Sequence, residues 1–440
     1  KSRVRRELKA VRSQPHAYLA HPQLAELARL LAPRTPRQEM GPEARELRDQ
    51  PVPHCVWGAA LLDEQTMVQF ERACWLPVAV QGAQMPDGHV GYGLPIGGVL
   101  ATREAVIPYG VGVDIACRMR LTICAEPPEL LSSRREPLAK ALRSETRFGV
   151  GAAFSGGERR QHDVMDDPAW RSLGILRDLK ERAWEQLGSS GSGNHFVEFG
   201  ELRVDEVIAE LGLEPGTYLA LLSHSGSRGL GARVAEHYTK VAMGGCKLPD
   251  QARHLAWLTL GSSAGQEYWT AMNLAGRYAA ANHELIHQHV LKAAGLRRRT
   301  HVENHHNFAW LEEHGGEQLV VHRKGATPAG PGVLGVIPGS MGDPGFLVRG
   351  RGNAASLHSA SHGAGRVMSR GAAKKSLTRE ERSRYLAAQG VELLAGGIDE
   401  SPQVYKPIAQ VMEAQADLVE ALAEFRPRLV LMAAGGPAED

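Results

Sequence analysis

The chain has 440 residues, of which 43% are apolar and 23% charged, and a formal net charge of +2. That length can bury a large core in two or three domains at roughly 150 residues each, and the balance excludes a disordered or fibrous chain. No apolar run approaches the roughly 18 residues of a membrane span, and the charged start from Lys1 to Lys9 has no apolar leader segment, so no membrane partner and no secretory signal are expected.

Residues 1–54 read as a polar, helical N-terminal segment, with Pro33, Pro36, Pro42, Pro51 and Pro53 marking its end, and 55–440 as the main domain. Between 85 and 125 the chain turns Gly-rich between short apolar runs, and Ile115 to Ile123 could form a strand. Tyr218 to Leu222 reads as a buried strand running into the polar turn that starts at His224. Ala264 to Ala294 has helical spacing throughout. Val333 to Ile337 predicts a strand ended by Pro338-Gly339, and Tyr405 to Phe425 an amphipathic helix with Ile408, Val411, Met412, Leu418 and Leu422 on one side. Strands and helices do not alternate regularly, which points to a mixed α+β fold.

The cysteines, Cys55, Cys74, Cys117, Cys124 and Cys246, are odd in number and show no C-x-x-C spacing, which argues against a disulfide scaffold and fits a reducing cytoplasm. Charge is uneven: residues 1–50 hold eleven Lys/Arg against six Asp/Glu, and 361–386 hold seven against two. Such patches suit a polyanion, although a solvated helix face explains them equally well.

Five constellations carry chemistry. In Gly112-Val-Asp-Ile-Ala-Cys117 a carboxylate and a thiol follow a glycine turn, and both can reach one metal ion. In Gly191-Ser-Gly-Asn-His-Phe196, His195 can bind metal and Asn194 a phosphate oxygen. His224-Ser-Gly-Ser-Arg-Gly229 sits just after a buried strand, where functional residues gather, and Arg228 offers a fork to phosphate. Of the adjacent His305 and His306, only one can face a given metal. In Ser359-Ala-Ser-His-Gly-Ala-Gly-Arg366, His362 lies among small residues beside Arg366 and Arg370, a setting for a histidine that attacks phosphorus. A competing motif, His283-Glu-Leu-Ile-His287, matches the zinc-peptidase pattern on a predicted helix, with Glu284 as base.

Taken in order, Met85-Pro-Asp-Gly-His-Val-Gly91, Val111-Gly-Val-Asp-Ile-Ala-Cys117, Gly191-Ser-Gly-Asn-His-Phe196, His224-Ser-Gly-Ser-Arg-Gly229, His306-Asn307, Arg323-Lys-Gly-Ala326, Ile337-Pro-Gly-Ser-Met-Gly342, Ser361-His-Gly-Ala-Gly-Arg366 and Tyr405-Lys406 resemble the RtcB family of RNA ligases over roughly residues 55–432. The resemblance implies a single large mixed α/β-sheet catalytic domain and a monomeric enzyme of RNA repair and tRNA splicing. It would join RNA 3′-phosphate or 2′,3′-cyclic phosphate ends to 5′-OH ends through a GMP adduct on His362. A 3′-phosphate capping enzyme that does not seal is the variant reading.

The same resemblance implies two Mn²⁺ ions held by Asp114, Cys117, His195, His224 and His306, with Cys117 bridging. It implies GTP contacts from Asn194, Asn307, Ser340, Gly363, Ala364, Gly365 and Tyr405, and RNA phosphate contacts from Arg228, Lys324, Arg366 and Arg370. Three departures stand out. Met432 replaces a lysine of the family and cannot donate a hydrogen bond. Ala116-Cys-Arg118 replaces Gly-Cys-Gly, which is expected to add bulk and positive charge near the metals. His283 stands where arginine is more usual.

Overall fold

The computed structural model describes residues 46–435 together with the backbone of 43 and 44. The expected N-terminal helical segment lies almost wholly outside the described residues. Its last part, 46–53, forms no helix. It runs along the start of the main domain, where the Arg48 amide donates to the Trp75 carbonyl at 2.8 Å and its guanidinium to the Pro77 carbonyl at 2.9 Å.

Two sheets organise the chain. The larger has eight strands. Its path runs Arg298–His305, Arg118–Cys124, Gly216–Ser225, Phe196–Val204, Val419–Met432, Gly345–Gly350 and Leu334–Ile337, and Glu392–Ala395 pairs on Val419–Met432. One face curls around an apolar centre that includes Met119, Leu121, Ile123, Leu202, Leu222, Val302, Val336 and Phe425. The other face is covered by helices, with Val197, Phe199, Leu219 and Leu221 packed against Ile286 and Val290.

Both faces being buried explains the mixed composition of Arg118–Cys124. Met119, Leu121 and Ile123 point to the centre, while Arg118, Arg120 and Thr122 are buried on the helix side with polar partners.

The sheet curls almost into a barrel, and its two end strands meet through a side chain. Asn304 on Arg298–His305 presents its amide to Val336 on Leu334–Ile337. Val336 N donates to Asn304 Oδ1 at 2.8 Å, and Asn304 Nδ2 donates to the Val336 carbonyl at 3.3 Å. Asn304 thus does for Val336 what a neighbouring peptide group would do.

The second sheet has five strands in the order Asn307–His314, Glu317–Lys324, Ile96–Thr102, Ala79–His89 and His54–Val56. The chain leaves the first sheet at His305 and enters the second at Asn307, so His306 sits on the seam between them.

The long helical pattern is the 32-residue helix Ser263–Ala294, capped at its start by Ser262 Oγ accepting from Gly265 N at 3.1 Å and ended by Gly295. The expected strands are Gly216–Ser225 and Leu334–Ile337. Among the described residues no helix is long and apolar enough to cross a membrane.

The expected helix from Tyr405 to Phe425 is corrected. A short helix, Ile408–Glu413, is followed by the strand Val419–Met432. The helical spacing of Ile408, Val411 and Met412 lasts little more than a turn. From Val419 onward, buried Val419, Ala423 and Phe425 share odd positions while Glu420, Glu424 and Arg426 occupy even ones, the period of a strand.

Candidate active site

Four neighbouring strands of the large sheet end at one edge, and each delivers a ligand-type side chain there. Cys117 precedes Arg118–Cys124, His195 precedes Phe196–Val204, His224 lies near the end of Gly216–Ser225, and His306 follows Arg298–His305. The register sets Met119 and Phe196 on either side of His224.

The resulting cluster is buried and tight. Cys117 Sγ lies 3.3 Å from His195 Nε2 and 3.1 Å from His224 Nε2. His224 Nε2 lies 3.2 Å from His306 Nε2, and Asp114 Oδ2 is 3.1 Å from His195 Nε2. Gly226 is small of necessity, because a Cβ there would meet the Asp114 carboxylate at 2.1 Å.

The electrostatics suit a cation. Burial, then the charges of His195 and His362, push His224 down to about 3, and burial holds His306 well below its ordinary value. Both rings are therefore neutral near pH 7. His224 Nδ1 donates to the Asn194 carbonyl at 3.2 Å, which leaves its Nε2 as a lone pair aimed at Cys117 and His306. Burial alone would raise the Asp114 carboxyl, but the hydrogen bond and charge of His195 outweigh it and keep the group ionised. The Nδ1 atoms of His195 and His306 have no hydrogen-bond partner among the described residues. A sulfur, a carboxylate and imidazole nitrogens within 3.1–3.3 Å of one another form a donor set that fits a divalent ion. Cys117, His195 and His224 alone already form a group that could hold one.

Beside the cluster opens a cavity of about 560 Å³. His362 lines it, its ring centroid 4.7 Å from that of His306. Its Nδ1 meets the carboxylate of Asp87 at 2.7 Å, and the same Oδ2 accepts from the amides of His362 and Gly363 at 3.1 and 3.3 Å. Burial works to raise the Asp87 carboxyl, yet the bond from His362 and the charges of His362 and Lys406 bring it below its ordinary value. An ionised Asp87 accepts from the Nδ1–H of His362, which orients the ring and leaves Nε2 as the nitrogen not engaged by the carboxylate. Lys406 braces this loop by donating to the carbonyls of Pro86 at 2.9 Å and Gly88 at 2.6 Å. Gly365, at φ +74, lets the 363–365 loop pass over Asp87, whose carbonyl a Cβ would strike at 1.9 Å.

The remaining expected site residues divide clearly. Asn194, Asn307, Ser340, Gly363, Ala364, Gly365, Tyr405, Lys324, Arg366 and Arg370 all line the cavity with His362. Asn307 also ties two loops together, donating to the Asp114 carbonyl at 3.2 Å and accepting from Gly325 N at 2.8 Å. Tyr405 donates to Glu400, which also pairs with Arg370 and, at 3.2 Å, with Arg366. Burial drives Lys324 down to about 7, and its Nζ donates to the Tyr92 carbonyl. Arg228 does not line the cavity. It is buried behind Asp114, with Nε donating to Ser189 Oγ at 3.2 Å.

Two expectations are corrected. Arg118 adds no bulk to the metal ligands, although its charge is felt at Cys117. As the residue next to Cys117 on an extended chain it points to the opposite face, where it pairs with Glu303 at 3.2 Å and donates to the Gly276 carbonyl at 3.3 Å. The zinc-peptidase reading fails as well, because both histidines of the motif are already committed. His283 Nε2 donates to the Ser225 carbonyl at 3.0 Å, which fixes the polarity of the rest. Ser223 Oγ donates to His283 Nδ1 at 2.7 Å and accepts from His287 Nε2 at 2.8 Å, and Thr122 Oγ1 donates to His287 Nδ1 at 2.8 Å. No ring nitrogen is left for zinc, and Glu284 is exposed, its carboxylate 3.8 Å from His162 Nε2.

Sequence reading missed Asp87. It lay within the quoted Met85-Pro-Asp-Gly-His89 segment, but nothing in the spacing ties it to a histidine 275 positions away.

A family model described as tRNA-splicing ligase RtcB matches residues 69–433. The chain belongs to the RtcB family. The RNA-splicing ligase RtcB of Escherichia coli K12 is 34% identical over 375 residues, covering 78% of this chain and 88% of that protein. The tRNA-splicing ligase RtcB of Nanoarchaeum equitans is 32% identical over 439 residues, with 84% and 92% covered, and that of Thermococcus kodakarensis is 32% identical over 440 residues, with 83% and 90% covered. Within the RtcB match, Ala116 holds a left-handed backbone at φ +58, a conformation that glycine adopts without cost. Met432 closes one wall of the cavity where the strand ends opposite Phe196.

Proposed function

We propose that this RtcB-family chain is an RNA ligase that uses GTP and manganese to join 3′-phosphate or 2′,3′-cyclic phosphate ends to 5′-OH ends. The observation that carries the reading is His362: its Nδ1 is held by a buried carboxylate, which leaves Nε2 as the nitrogen not so engaged, at a cavity that also opens on the Asp114, Cys117, His195, His224 and His306 cluster.

On this reading His362 Nε2 attacks the α-phosphorus of GTP. An N–P bond forms, the bond from that phosphorus to the β-bridging oxygen breaks, and pyrophosphate leaves. An oxygen of the RNA 3′-phosphate then takes the GMP group and frees His362. Finally the 5′-OH oxygen attacks the activated 3′-phosphorus and GMP leaves, its proton having passed to a base or to water. A cyclic end is first opened by water to the 3′-phosphate. Manganese held by the five ligands would supply positive charge beside the reacting phosphates.

Asn194, Asn307, Ser340, the Gly363-Ala364-Gly365 loop and Tyr405 would receive the nucleotide. Lys324, Arg366 and Arg370 would meet RNA phosphates, whereas Arg228 would act from behind Asp114. Incubation with Mn²⁺ and labelled GTP should label the wild-type protein and leave His362→Ala unlabelled. Equal behaviour of the two proteins would overturn the reading. Sealing of a nicked stem-loop then separates a ligase from an enzyme that only caps the 3′ end.

A further inference from the structure

A second groove, of about 490 Å³, adjoins the catalytic cavity and shares Gln65, Val90, Gly91 and Tyr92 with it. Val68, Val90 and Tyr92 are exposed large apolar residues, and Tyr92 shows 65% of its surface. An aromatic ring standing this far out at the mouth of a polar site is not explained by packing.

The backbone that carries the ring is nevertheless firmly held. Gln69 Nε2 donates to the carbonyls of Gly91 and Gly93 on either side, at 2.5 and 2.8 Å, and Gln69 Oε1 accepts from Gly91 N at 3.1 Å. Lys324 donates to the carbonyl of Tyr92 itself. The ring leans on His254 and Tyr109, with centroids 6.1 and 6.3 Å away. A preorganised aromatic surface loses little freedom when a flat ring stacks on it.

We propose that Tyr92 is a stacking platform for one base of the RNA strand next to the end being joined. Lys324 beneath the same residue puts a phosphate-binding amine and a base-binding ring within one nucleotide of each other. Stacking on an exposed aromatic is how single strands are held without sequence preference, because every base has a π-face. The groove is continuous with the cavity, which gives a strand whose end reaches His362 a surface to lie along. The inference rests on the RNA-ligase reading, and the experiment separates the two.

Short 3′-phosphate and 5′-OH RNAs are prepared with a single abasic residue at each of the first positions from the junction. Binding is followed by fluorescence anisotropy and joining by KM and kcat. In the wild type, one abasic position should weaken binding and raise KM about five- to a hundredfold with kcat little changed. Tyr92→Ala should lose as much on intact RNA and be indifferent to the abasic residue at that position, and Tyr92→Trp should restore the base preference. An undiminished abasic penalty in Tyr92→Ala, or intact RNA bound and joined as by the wild type, overturns the platform. Labelled-GTP incorporation and sealing by the wild type answer the ligase question separately: Tyr92-dependent RNA binding by a protein that takes no label would sink the ligase reading and leave the platform standing.

Discussion

Asp87 Oδ2 lies 2.7 Å from His362 Nδ1, across 275 positions of chain, and the same oxygen collects the amides of His362 and Gly363. One buried carboxylate therefore holds the Nδ1–H, the ring orientation and the local backbone of His362. Asp87→Asn keeps an acceptor for the two amides but loses the charge that favours the Nδ1–H form. Labelling of the protein by GTP should slow by roughly 10²- to 10⁴-fold while the thermal midpoint stays near that of the wild type. A labelling rate within a few-fold of wild type would show that Asp87 only packs.

The ligand cluster makes a contrasting prediction for two residues that a motif search would weigh equally. Cys117→Ala, or treatment with a chelator, should reduce GTP labelling by roughly 100-fold or more, since positive charge at the phosphates is lost. Added Mn²⁺ should raise the wild-type thermal midpoint and not that of Cys117→Ala. Glu284→Ala, at an exposed position, should change neither activity nor stability beyond about 0.5 kcal/mol. The opposite pattern would revive the peptidase motif.

Lys324 gives a pH dependence whose sign is fixed. Burial lowers its folded value to about 7 from an ordinary 10.5. Between those two values the unfolded chain holds the extra proton, so this group's contribution to stability rises with pH through that window and is smallest below it. Phosphate binding runs the other way, because the amine is increasingly neutral above pH 7. RNA affinity at constant salt should fall as pH rises from about 6 to 8 in the wild type and stay flatter in Lys324→Arg, whose guanidinium remains charged. Parallel curves for the two proteins would remove Lys324 from the RNA contacts.

Ala116 stores backbone strain beside the cluster, with φ at +58 and its amide donating to the Asn307 carbonyl at 2.7 Å. Ala116→Gly relieves the Cβ clash of the left-handed conformation but loosens the unfolded chain. The net effect should be a gain of about 1 kcal/mol in denaturant unfolding. A loss of stability would mean that the Ala116 methyl contributes more by packing than it costs by strain.

Much of the site was legible because each ligand sits in a short motif at the end of its strand, and a strand end is a local feature of sequence. Their convergence was not, since it depends on which strands are neighbours in the sheet. It entered only through resemblance to a family. Asp87 shows the limit most plainly, because its role is defined by a partner that no spacing rule reaches.

Two misreadings were of another kind. Arg118 follows Cys117 directly, and alternation along a strand already sends it to the other face. The odd-even pattern from Val419 to Arg426 was equally visible but was overshadowed by the helical spacing just before it. The histidine pair in the long helix was placed correctly on one face. What fills that face, Thr122 and Ser223, comes from two strands far away in the chain.

Asn304 has a consequence for the cavity. The strand before His306 and the strand that leads into Pro338-Gly339-Ser340 are the two ends of the large sheet. Going round through the backbone, they are connected by every other strand of the path. Going directly, the hydrogen bonds between them among the described residues run through one amide side chain. The distance between the ligand side of the cavity and the wall that carries Ser340 is thus set at close range by the length of an asparagine, and an aspartate, which keeps the length but loses the donor, would leave that wall tethered by half.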